Sequence, residues 1–265
     1  MSRPSVLLSA SLLLAAVFAQ ADQLDDIKAR GQLVAAVIAD APPFGSFNAD
    51  KTVSGYDIDF ASAIAKKIGV KLVVRDVQPS QRIPYVKQGQ ADIAVATLTK
   101  TSERAKEIDF SLGYFVTGQK FLVRRGKYNS IESLTRARIG VAQSTTSEAQ
   151  LRKELPNSTV VLFPDNPEAI KALVDGQIDA VTTDEPVLAG LLAKLPNRGQ
   201  FEIPEISIST EAYGIGIRKG EKRLQKLIDE TLLEMEQSGE AERIFNRWFG
   251  PNSSTPLTRI FRIRS

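Results

Sequence analysis

The sequence predicts an α/β protein in which mainly parallel sheets carry helices on both faces. Three observations support this fold class. Strand-like and helix-like segments alternate along the chain, the apolar strands end in polar turns, and one unit occurs twice, at residues 89–97 and 176–184. Because the two copies fall in separate sets of alternating segments, we expect two lobes of similar build that face each other across a cleft.

The N-terminus has the pattern of a secretory signal peptide. Arg3 precedes the apolar run 6–18, and the small-x-small triplet 19–21 follows it. The apolar run is shorter than the ~20 residues that a membrane span needs, so a membrane anchor is the weaker interpretation. We therefore expect residues 1–21 to be removed on export and the mature protein to be soluble in a bacterial periplasm.

The composition excludes several kinds of chemistry. The chain has no Cys and no His, so it lacks disulfides, thiol catalysis, the base of Ser-His-Asp catalysis and the commonest transition-metal ligand. Its 34 basic and 31 acidic residues nearly balance and are scattered, which gives no basic patch for nucleic acid. We expect no catalytic residue, no metal site, no cofactor and no nucleic-acid partner.

The first half of the chain contains the clearest helix. Phe60, Ile64 and Ile68 recur at helical spacing. The helix is expected to start after Gly55 and to end at Gly69. The other elements expected in this half are helices at 24–30 and 81–88 and strands at 33–39 and 71–77.

Residues 40–45 follow the first strand and form a loop, because they can continue neither a helix nor a strand. Its two prolines lack a backbone N–H and Gly45 favours a turn, so the loop lies at a strand end, where open α/β sheets hold ligands. Phe44 fits two roles here, packing the loop down or lining a pocket. Arg82, at the start of the 81–88 helix, fits either a solvated surface charge or a group that faces the same end of the sheet.

The second half continues the alternation of strands and helices. Ser130 is expected to cap a short helix that ends near Thr135. Strands are expected at 121–124, 138–141, 159–163 and 201–218, and helices at 148–155, 167–175, 185–195, 221–237 and 241–249. The tail, residues 252–265, has no periodicity that decides its structure.

A hydroxyl-rich turn at 142–147 joins a strand of this half to the next helix. Its backbone N–H groups could bind an anion. Simple N-capping of the helix by Thr145 or Ser147 is the alternative interpretation.

The most informative segment follows the first copy of the repeated unit. Thr97 and Thr99 place hydroxyl groups at the end of a strand, and Thr101 can cap a helix that carries Arg104 in its first turn. Backbone N–H groups, a positive helix end and a guanidinium would converge there. This is the equipment for binding a carboxylate or a phosphate.

The second copy of the unit ends differently. Eight residues after its first glycine lies Asp184, at the position that Thr97 holds in the first copy. One copy therefore delivers an anion-binding group and the other delivers an anion, which predicts a site for a zwitterion between the lobes.

Several motifs of the chain resemble, in order and spacing, those of one family. They are Gly55-Tyr56-Asp57-Ile58-Asp59-Phe60, Arg82-Ile83-Pro84, residues 89–92, Thr101-Ser102-Glu103-Arg104, Asp109-Phe110-Ser111, Thr183-Asp184-Glu185, Tyr213-Gly214-Ile215-Gly216 and Trp248-Phe249-Gly250. Together they cover residues 23–250. The chain resembles the periplasmic polar amino-acid-binding proteins of ABC transporters, the solute-binding protein family 3.

The resemblance implies a two-lobed periplasmic binding protein (Venus-flytrap) fold with two crossing strands as its hinge. Lobe 1 would comprise residues 22–114 and 208–265, and lobe 2 residues 115–207. The implied function is capture of an amino acid by lobe closure, followed by delivery to a membrane ABC permease. We expect the protein to be a monomer.

The resemblance also implies a set of ligand-binding residues. In the family, the ligand α-carboxylate pairs with the Arg that corresponds to Arg104. The remaining implied contacts are Thr97 and Thr99 to the α-group, Thr145 and Thr146 to the carboxylate, and Asp184 to the α-ammonium.

Departures from the family pattern bear on the ligand side chain. Members that bind acidic side chains resemble this chain at Arg82 but carry Lys or Arg where it has Ile38. Members that bind Gln or basic side chains tend to have Asp at the position of Ile38 and an aromatic residue at the position of Ala41. At the position of Pro79 the family often has an aromatic residue or Ser. With Phe44 these residues form the predicted specificity pocket. It favours a polar uncharged or acidic ligand, because an unpaired buried cation costs several kcal/mol.

Two alternative functions remain open. The architecture also resembles that of periplasmic cyclohexadienyl dehydratases, for which Glu185, beside Asp184, is the evident spare carboxylate. The plain interpretation of Glu185 is a charge at a helix N-terminus. The other alternative is a sensory module that presents its ligand to a receptor.

Overall fold

The structure, a computed structural model, describes residues 22–264, so the signal peptide expected at 1–21 lies outside the described residues. The strands in this part of the chain are β1 Gln32–Val37, β2 Ser46–Phe47, β3 Val53–Ser54, β4 Lys71–Asp76, β5 Ile93–Ala94, β6 Ile108–Thr117, β7 Gln119–Arg124, β8 Arg138–Ala142, β9 Thr159–Phe163, β10 Ala180–Asp184, β11 Phe201–Glu202 and β12 Glu211–Arg218. The α-helices are α1 Gln23–Arg30, α2 Tyr56–Ile68, α3 Arg82–Lys87, α4 Arg104–Glu107, α5 Thr146–Glu154, α6 Asn166–Val174, α7 Glu185–Lys194, α8 Lys222–Gln237 and α9 Glu240–Phe249. None of the helices in residues 22–264 combines the length and the apolar character that a membrane crossing requires.

The strands form two five-stranded sheets of matching design, apart from the small β2-β3 ribbon. Their orders are β4-β1-β5-β12-β6 and β11-β7-β10-β8-β9. In each sheet one strand, β12 or β7, runs antiparallel to both of its neighbours, so the other four point the same way. We call the first sheet with α1–α4, α8 and α9 lobe 1, and the second sheet with α5–α7 lobe 2. The predicted two-lobed α/β architecture with mainly parallel sheets is confirmed.

Helices cover both faces of each sheet, as the sequence predicts. In β1, Ala35 and Val37 pack on the side of α2, whereas Ala36 between them packs on the side of α3. In β7, Leu122 and Val123 likewise belong to different apolar clusters, on the two sides of the lobe 2 sheet. Such alternation follows because successive side chains of a strand point to opposite faces.

The repeated unit has the same structure in both lobes. The Asp92 N–H donates to the Val34 carbonyl oxygen at 2.8 Å, and the Asp92 carboxylate accepts the Val34 N–H at 2.7 Å. Asp179 does the same with Arg138, at 2.8 and 2.9 Å. These reciprocal bonds fix the starts of β5 and β10, and both strands then deliver the residues at their C-terminal ends to the cleft.

Two chain segments join the lobes. One runs from the end of β6 at Thr117 into β7 at Gln119, and the other enters β12 at Glu211. They lie side by side, because Glu211 pairs with Thr117 in register and the Ile208 N–H donates to the Gln119 carbonyl oxygen at 3.1 Å. The lobe boundaries at 114/115 and 207/208, and the hinge role of these segments, stay predictions.

The lobes contact each other across the cleft. Helix α7 lies so close to the loop after β1 that a Cβ atom at Gly190 would come within 2.1 Å of the Pro42 carbonyl oxygen. Near the end of the same helix, Lys194 Nζ donates to Ser46 Oγ at 3.2 Å. The cleft is therefore closed in this structure.

Two expectations about local structure were wrong. The strand-like run 201–218 is divided into β11 in lobe 2 and β12 in lobe 1. The chain crosses between the lobes there, and Pro204 has no N–H to offer a sheet. The short helix expected after Ser130 is only a 3₁₀ turn, Glu132–Leu134.

The C-terminal tail packs on lobe 1. Arg259 forms a salt bridge with Glu236 of α8. The Phe261 ring lies against Phe115 and Phe245, with centroid distances of 5.3 and 5.9 Å. Long-range side-chain contacts thus anchor a segment without helix or strand, which explains why no periodicity revealed its structure.

Candidate functional site

Thr97 adopts a backbone conformation that a β-branched residue rarely takes. Its φ is 46°, in the left-handed region. The Asp57 carboxylate accepts the Thr97 N–H at 2.9 Å, and the Arg82 guanidinium donates to the Thr97 carbonyl oxygen at 3.0 Å. These two buried side chains hold the turn, and the chain after it runs beside β12, where Thr99 pairs with Tyr213.

The ionisation of the Asp57 carboxyl depends on burial and on its hydrogen-bond donors. Burial raises the pKa of Asp57 to about 7, while hydrogen bonds from the Tyr114 hydroxyl and the Thr97 N–H favour its ionised form. The Gly55-Tyr56-Asp57 motif therefore acts on the site through Thr97. No role for this carboxylate was predicted from the sequence.

Arg104 lies at the first position of α4, which is a single turn of four residues. Thr101 caps this turn as expected, because its hydroxyl accepts the Arg104 N–H at 3.1 Å. The guanidinium donates to the Thr99 carbonyl oxygen at 2.9 Å, and across the cleft to the Ser144 carbonyl oxygen at 3.5 Å. So short a helix has little macrodipole, so any attraction of an anion to this place would come from the guanidinium and not from a positive helix end.

Thr145 and Thr146 begin α5 on the lobe 2 side of the cleft. The Thr145 hydroxyl accepts the Glu148 N–H at 3.1 Å and donates to the Ala142 carbonyl oxygen at 2.7 Å, so it caps the helix. The first backbone N–H groups of a helix have no acceptor within that helix, and those of α5 are available to an anion in addition to this cap. The Thr146 hydroxyl reaches lobe 1, where it donates to Glu211 at 2.7 Å.

Asp184 ends β10 and is only 6% exposed. Its Oδ2 accepts the hydroxyl of Tyr213 from lobe 1, whereas its Oδ1 has no hydrogen-bond partner among residues 22–264. Burial, with the nearby Glu211 carboxylate, raises the pKa of Asp184 to about 7, although Tyr213, Arg82 and Arg104 favour the ionised form. A buried acceptor atom of this kind is a place for one more hydrogen-bond donor.

Glu211 is a cleft residue that the sequence did not reveal. It is 8% exposed, and its Oε2 accepts the hydroxyls of Thr99 and Thr146, one from each lobe. Its Oε1 accepts the Ser209 hydroxyl at 3.0 Å. A single Glu at the start of a strand has no local signature, and its partner Thr99 lies 112 residues away in the chain.

Arg82 is buried, and the surface-charge interpretation is wrong. Its Nε donates to the Pro79 carbonyl oxygen at 2.9 Å, and its Nη1 donates to those of Ala96 and Thr97 at 3.1 and 3.0 Å. Burial, followed by the charge of Arg104, lowers the pKa of Arg82 to about 9. Both guanidiniums line one cavity of about 200 Å³.

Arg104 also lines a larger cavity of about 520 Å³. Thr99, Thr145, Thr146 and Glu211 line it together with Arg104. Arg104 and Ser144 line both cavities, whereas Asp184 lines neither.

The four residues of the predicted specificity pocket are all buried, and they lie in different places. Phe44 packs within the aromatic core of lobe 1, with its ring 4.9 Å from that of Phe115, so it packs its loop down and lines neither of the two cavities. Pro79 lines the smaller cavity beside the guanidiniums. Ile38 and Ala41 line neither cavity, and their part in specificity stays a prediction.

Glu185 is already engaged in an ion pair. Its carboxylate accepts from Lys120 Nζ at 2.9 Å, and Glu205 pairs with the same Lys120 at 2.8 Å. The spare carboxylate on which the dehydratase alternative rests is thus held by a cation. Over the described part of the chain, no group of three or more acidic side chains is placed to hold a metal ion.

Comparison with known proteins gives consistent matches along the chain. The model of the bacterial extracellular solute-binding proteins, family 3, matches residues 33–251. The ABC transporter glutamine-binding protein of Bacillus subtilis (strain 168) is 36% identical over 233 residues, which cover 86% of this chain and 84% of the relative. The glutamate/aspartate import solute-binding protein of Escherichia coli (strain K12) is 31% identical over 259 residues, 90% of this chain and 86% of the relative.

Solved structures match equally well. An ancestral arginine-binding protein bound to glutamine superposes with a TM-score of 0.80 at 37% sequence identity. The match covers 83% of this chain and 99% of that one.

The raised pKa of Asp184 predicts how Asp184→Asn changes stability with pH. A carboxyl whose pKa is higher in the folded than in the unfolded chain stabilises the fold fully below about pH 4, and this contribution is lost as the pH rises through about 7. Asn does not titrate, so we expect the ligand-free variant to gain stability over the natural protein by up to about 1.4 kcal/mol per pH unit in that window. Urea denaturation at a series of pH values measures the difference.

Asp109→Asn is the control, because the pKa of Asp109 is lowered in the folded protein whereas that of Asp184 is raised. Burial opposes ionisation of Asp109, but hydrogen bonds from Lys222 and the Gly220 N–H outweigh it and hold the pKa at about 2. The stability that ionised Asp109 contributes is lost only as the pH falls through about 2. The loss of stability caused by Asp109→Asn should therefore stay constant between pH 5 and 8. Parallel stability curves for the natural protein and Asp184→Asn would show that Asp184 is not buried as described.

Proposed function

This chain belongs to family 3 of the bacterial extracellular solute-binding proteins, and from that premise we propose that it captures an amino acid between its lobes and delivers it to a membrane ABC permease. The observation that carries the proposal is the placement of Arg104 and Asp184. They lie on opposite lobes, carry opposite charges and are close enough for each charge to act on the pKa of the other. An α-amino acid presents the matching pair, a carboxylate and an ammonium separated by one carbon atom.

The carboxylate of the ligand pairs with Arg104. This guanidinium is half-buried between two cavities, which strengthens its attraction for an anion relative to an exposed site. The hydroxyls of Thr99 and Thr146 and the first amides of α5 surround the larger cavity and supply further donors. Thr97 contributes through the turn that aims this segment at the cleft.

The ammonium of the ligand pairs with Asp184. Its unpartnered Oδ1 supports this assignment, because a fully buried carboxylate oxygen gains most from a charged donor. Tyr213 holds the other oxygen and so orients the carboxylate. The positive charge of the ammonium also opposes burial and the charge of Glu211, which together raise the pKa of Asp184 to about 7.

Side-chain selectivity follows from Arg82. Its guanidinium lines the smaller cavity beside Arg104, and Ile38 and Ala41 contribute no charge to this end of lobe 1. We assign a polar uncharged or acidic side chain in preference to a basic one. The glutamine-binding and glutamate/aspartate-binding relatives agree with this choice. Similar solved structures include an ancestral arginine-binding protein bound to glutamine and one bound to arginine, so they favour neither side chain.

The location and partner follow from the family and the N-terminus. An extracellular solute-binding family agrees with the signal peptide expected at residues 1–21. The protein acts as a periplasmic monomer, and the closed ligand-bound form docks on the permease. Catalysis is not part of the proposal, because Glu185 is paired with Lys120 and the relatives compared above are binding proteins.

Arg104→Ala and Asp184→Ala test the site. We expect each to abolish detectable binding of the amino acid that shifts the melting temperature of the natural protein most in a screen of amino acids. At 100 times its dissociation constant such a ligand stabilises by about 2.7 kcal/mol, which is easily detected. Calorimetric titration measures the loss of binding, and thermal melting without ligand checks that the fold persists.

Lys106→Ala and Asp175→Ala are matched controls. Both remove an exposed charge from the same lobe as the test residue, and both charges have only a local partner, Glu103 or Lys171. They should bind normally. Near-normal affinity in Arg104→Ala or Asp184→Ala would overturn the site assignment.

Gly190→Ala tests lobe closure. The added Cβ would lie 2.1 Å from the Pro42 carbonyl oxygen of the other lobe, so the closed form must open slightly to fit it. Within α7 itself Ala is the better helix former, by about 1 kcal/mol. We expect an unchanged or higher melting temperature without ligand, and an affinity lower by about tenfold or more because closure supplies part of the binding energy.

Gly199→Ala is the control for this substitution, since a Cβ there meets no atom within 4 Å. Small-angle scattering should show that ligand compacts the natural protein and Gly199→Ala fully but Gly190→Ala only in part. Full compaction and normal affinity in Gly190→Ala would show that this contact does not limit closure.

A further inference from the structure

Two buried oxygen atoms on neighbouring strands of lobe 2 lack a hydrogen-bond donor. One is Oδ1 of Asp184 and the other is Oε1 of Gln119, and neither has a partner among residues 22–264. Gln119 begins β7, is fully buried, and pairs directly with Asp184 of β10 in the antiparallel ladder. Directly opposed side chains lie on the same face of a sheet, with their Cβ atoms about 5 Å apart. The two oxygen atoms therefore belong to the same part of lobe 2.

The hydrogen bonds of the Gln119 amide fix which of its ends is the oxygen. Its Nε2 donates to the Ser147 carbonyl oxygen at 3.1 Å and to Thr182 Oγ1 at 2.9 Å. The Thr182 hydroxyl donates its single proton to the Lys120 carbonyl oxygen at 2.7 Å, so it can only accept from Gln119. Turning the amide over would place Oε1 against two acceptors. Oε1 is thus an acceptor without a donor, in a buried position where a missing donor is costly.

Gln119 lies at the two parts of lobe 2 to which the proposed function assigns the ligand. Its side chain is bonded to Ser147 in the first turn of α5, the helix whose first amides are available to a carboxylate. Its strand partner Asp184 is the residue assigned to the ammonium. A donor brought by the ligand to Asp184 would therefore arrive beside the Gln119 amide.

The α-ammonium of an amino acid needs more than one acceptor. It has three N–H donors, whereas Asp184 offers one oxygen because Tyr213 already donates to the other. A charged donor group that is buried with N–H groups unpaired loses much of its binding energy. A neutral amide oxygen suits this place better than a further carboxylate, since burial and the charge of Glu211 already oppose the ionisation of Asp184.

We propose that Gln119 Oε1 is a second acceptor for the ligand ammonium, beside Oδ1 of Asp184. Gln119 then contributes to the affinity for amino acids and to the discrimination against carboxylates without an amine. This inference rests on the amino-acid-binding function proposed above. It assigns a ligand contact to a residue outside the set that the family resemblance supplied.

Gln119→Met tests the contact, because it replaces the amide with a thioether, which is a weak acceptor. Calorimetric titration would measure two ligands on the natural protein and on the variant, the amino acid that the natural protein binds best and its analogue without the α-amine. We expect the variant to bind the amino acid about tenfold more weakly or worse, a loss of about 1.4 kcal/mol or more. The ratio between the affinities for the two ligands should fall by about the same factor.

This ratio separates a contact to the ammonium from a purely structural role. If Gln119 only held the start of α5 in place through Ser147, its loss would weaken both ligands alike and leave the ratio unchanged. Gln200→Met is the matched control, the same substitution at an exposed position just before β11. It should match the natural protein with both ligands.

An unchanged ratio in Gln119→Met would overturn the contact and leave the proposed function intact. If the natural protein bound no amino acid, or bound the analogue as tightly, the proposed function would fail and this inference with it. If Gln119→Met does not fold, Gln119→Asn, which draws the amide oxygen back by one methylene group, serves the same comparison. Its ratio should also fall, and an unchanged ratio there would overturn the proposal.

Discussion

Buried charge of both signs in one closed cleft is the constraint on which the rest of the structure depends. The guanidiniums of Arg82 and Arg104 and the carboxylates of Asp184 and Glu211 come from both lobes and approach one another where little water reaches. Burial lowers the pKa of both Arg residues and raises that of Asp184, and the opposite charges nearby act against each of these three shifts. Asp184 ends β10 and Glu211 begins β12. Arg82 and Asp57 hold the turn at Thr97, which precedes Arg104 in the chain.

A zwitterion suits this constraint because it adds one charge of each sign and leaves the net charge of the cleft unchanged. In the proposed binding mode its carboxylate pairs with Arg104 and its ammonium with Oδ1 of Asp184, which has no hydrogen-bond partner among residues 22–264. Glu211 accepts one hydroxyl from each lobe.

The sequence predicted the elements that depend on local pattern and the residues that belong to repeated units. The helix from Tyr56 to Ile68, the duplicated unit and the placement of Arg104 and Asp184 on opposite lobes are all found in the structure. Features that depend on distant partners were not predicted. The link of Glu211 to Thr99 spans 112 residues, and the break in the 201–218 run is caused by the crossing between lobes. Burial decided the two ambiguous residues, since Arg82 proved to be inside and Phe44 proved to be core.

Recognition of both ends of a zwitterion is the central claim, and the most direct measurement compares one amino acid with two analogues of it. Calorimetric titration at pH 8, where Asp184 is ionised, would use the amino acid that the natural protein binds best, its analogue without the α-amine and its α-carboxamide. We expect each analogue to bind about 100-fold more weakly or worse, a loss of about 2.7 kcal/mol for one charged end. An analogue without the amine that bound within about tenfold of the parent would contradict the assignment of Asp184 and with it the account of a two-ended site.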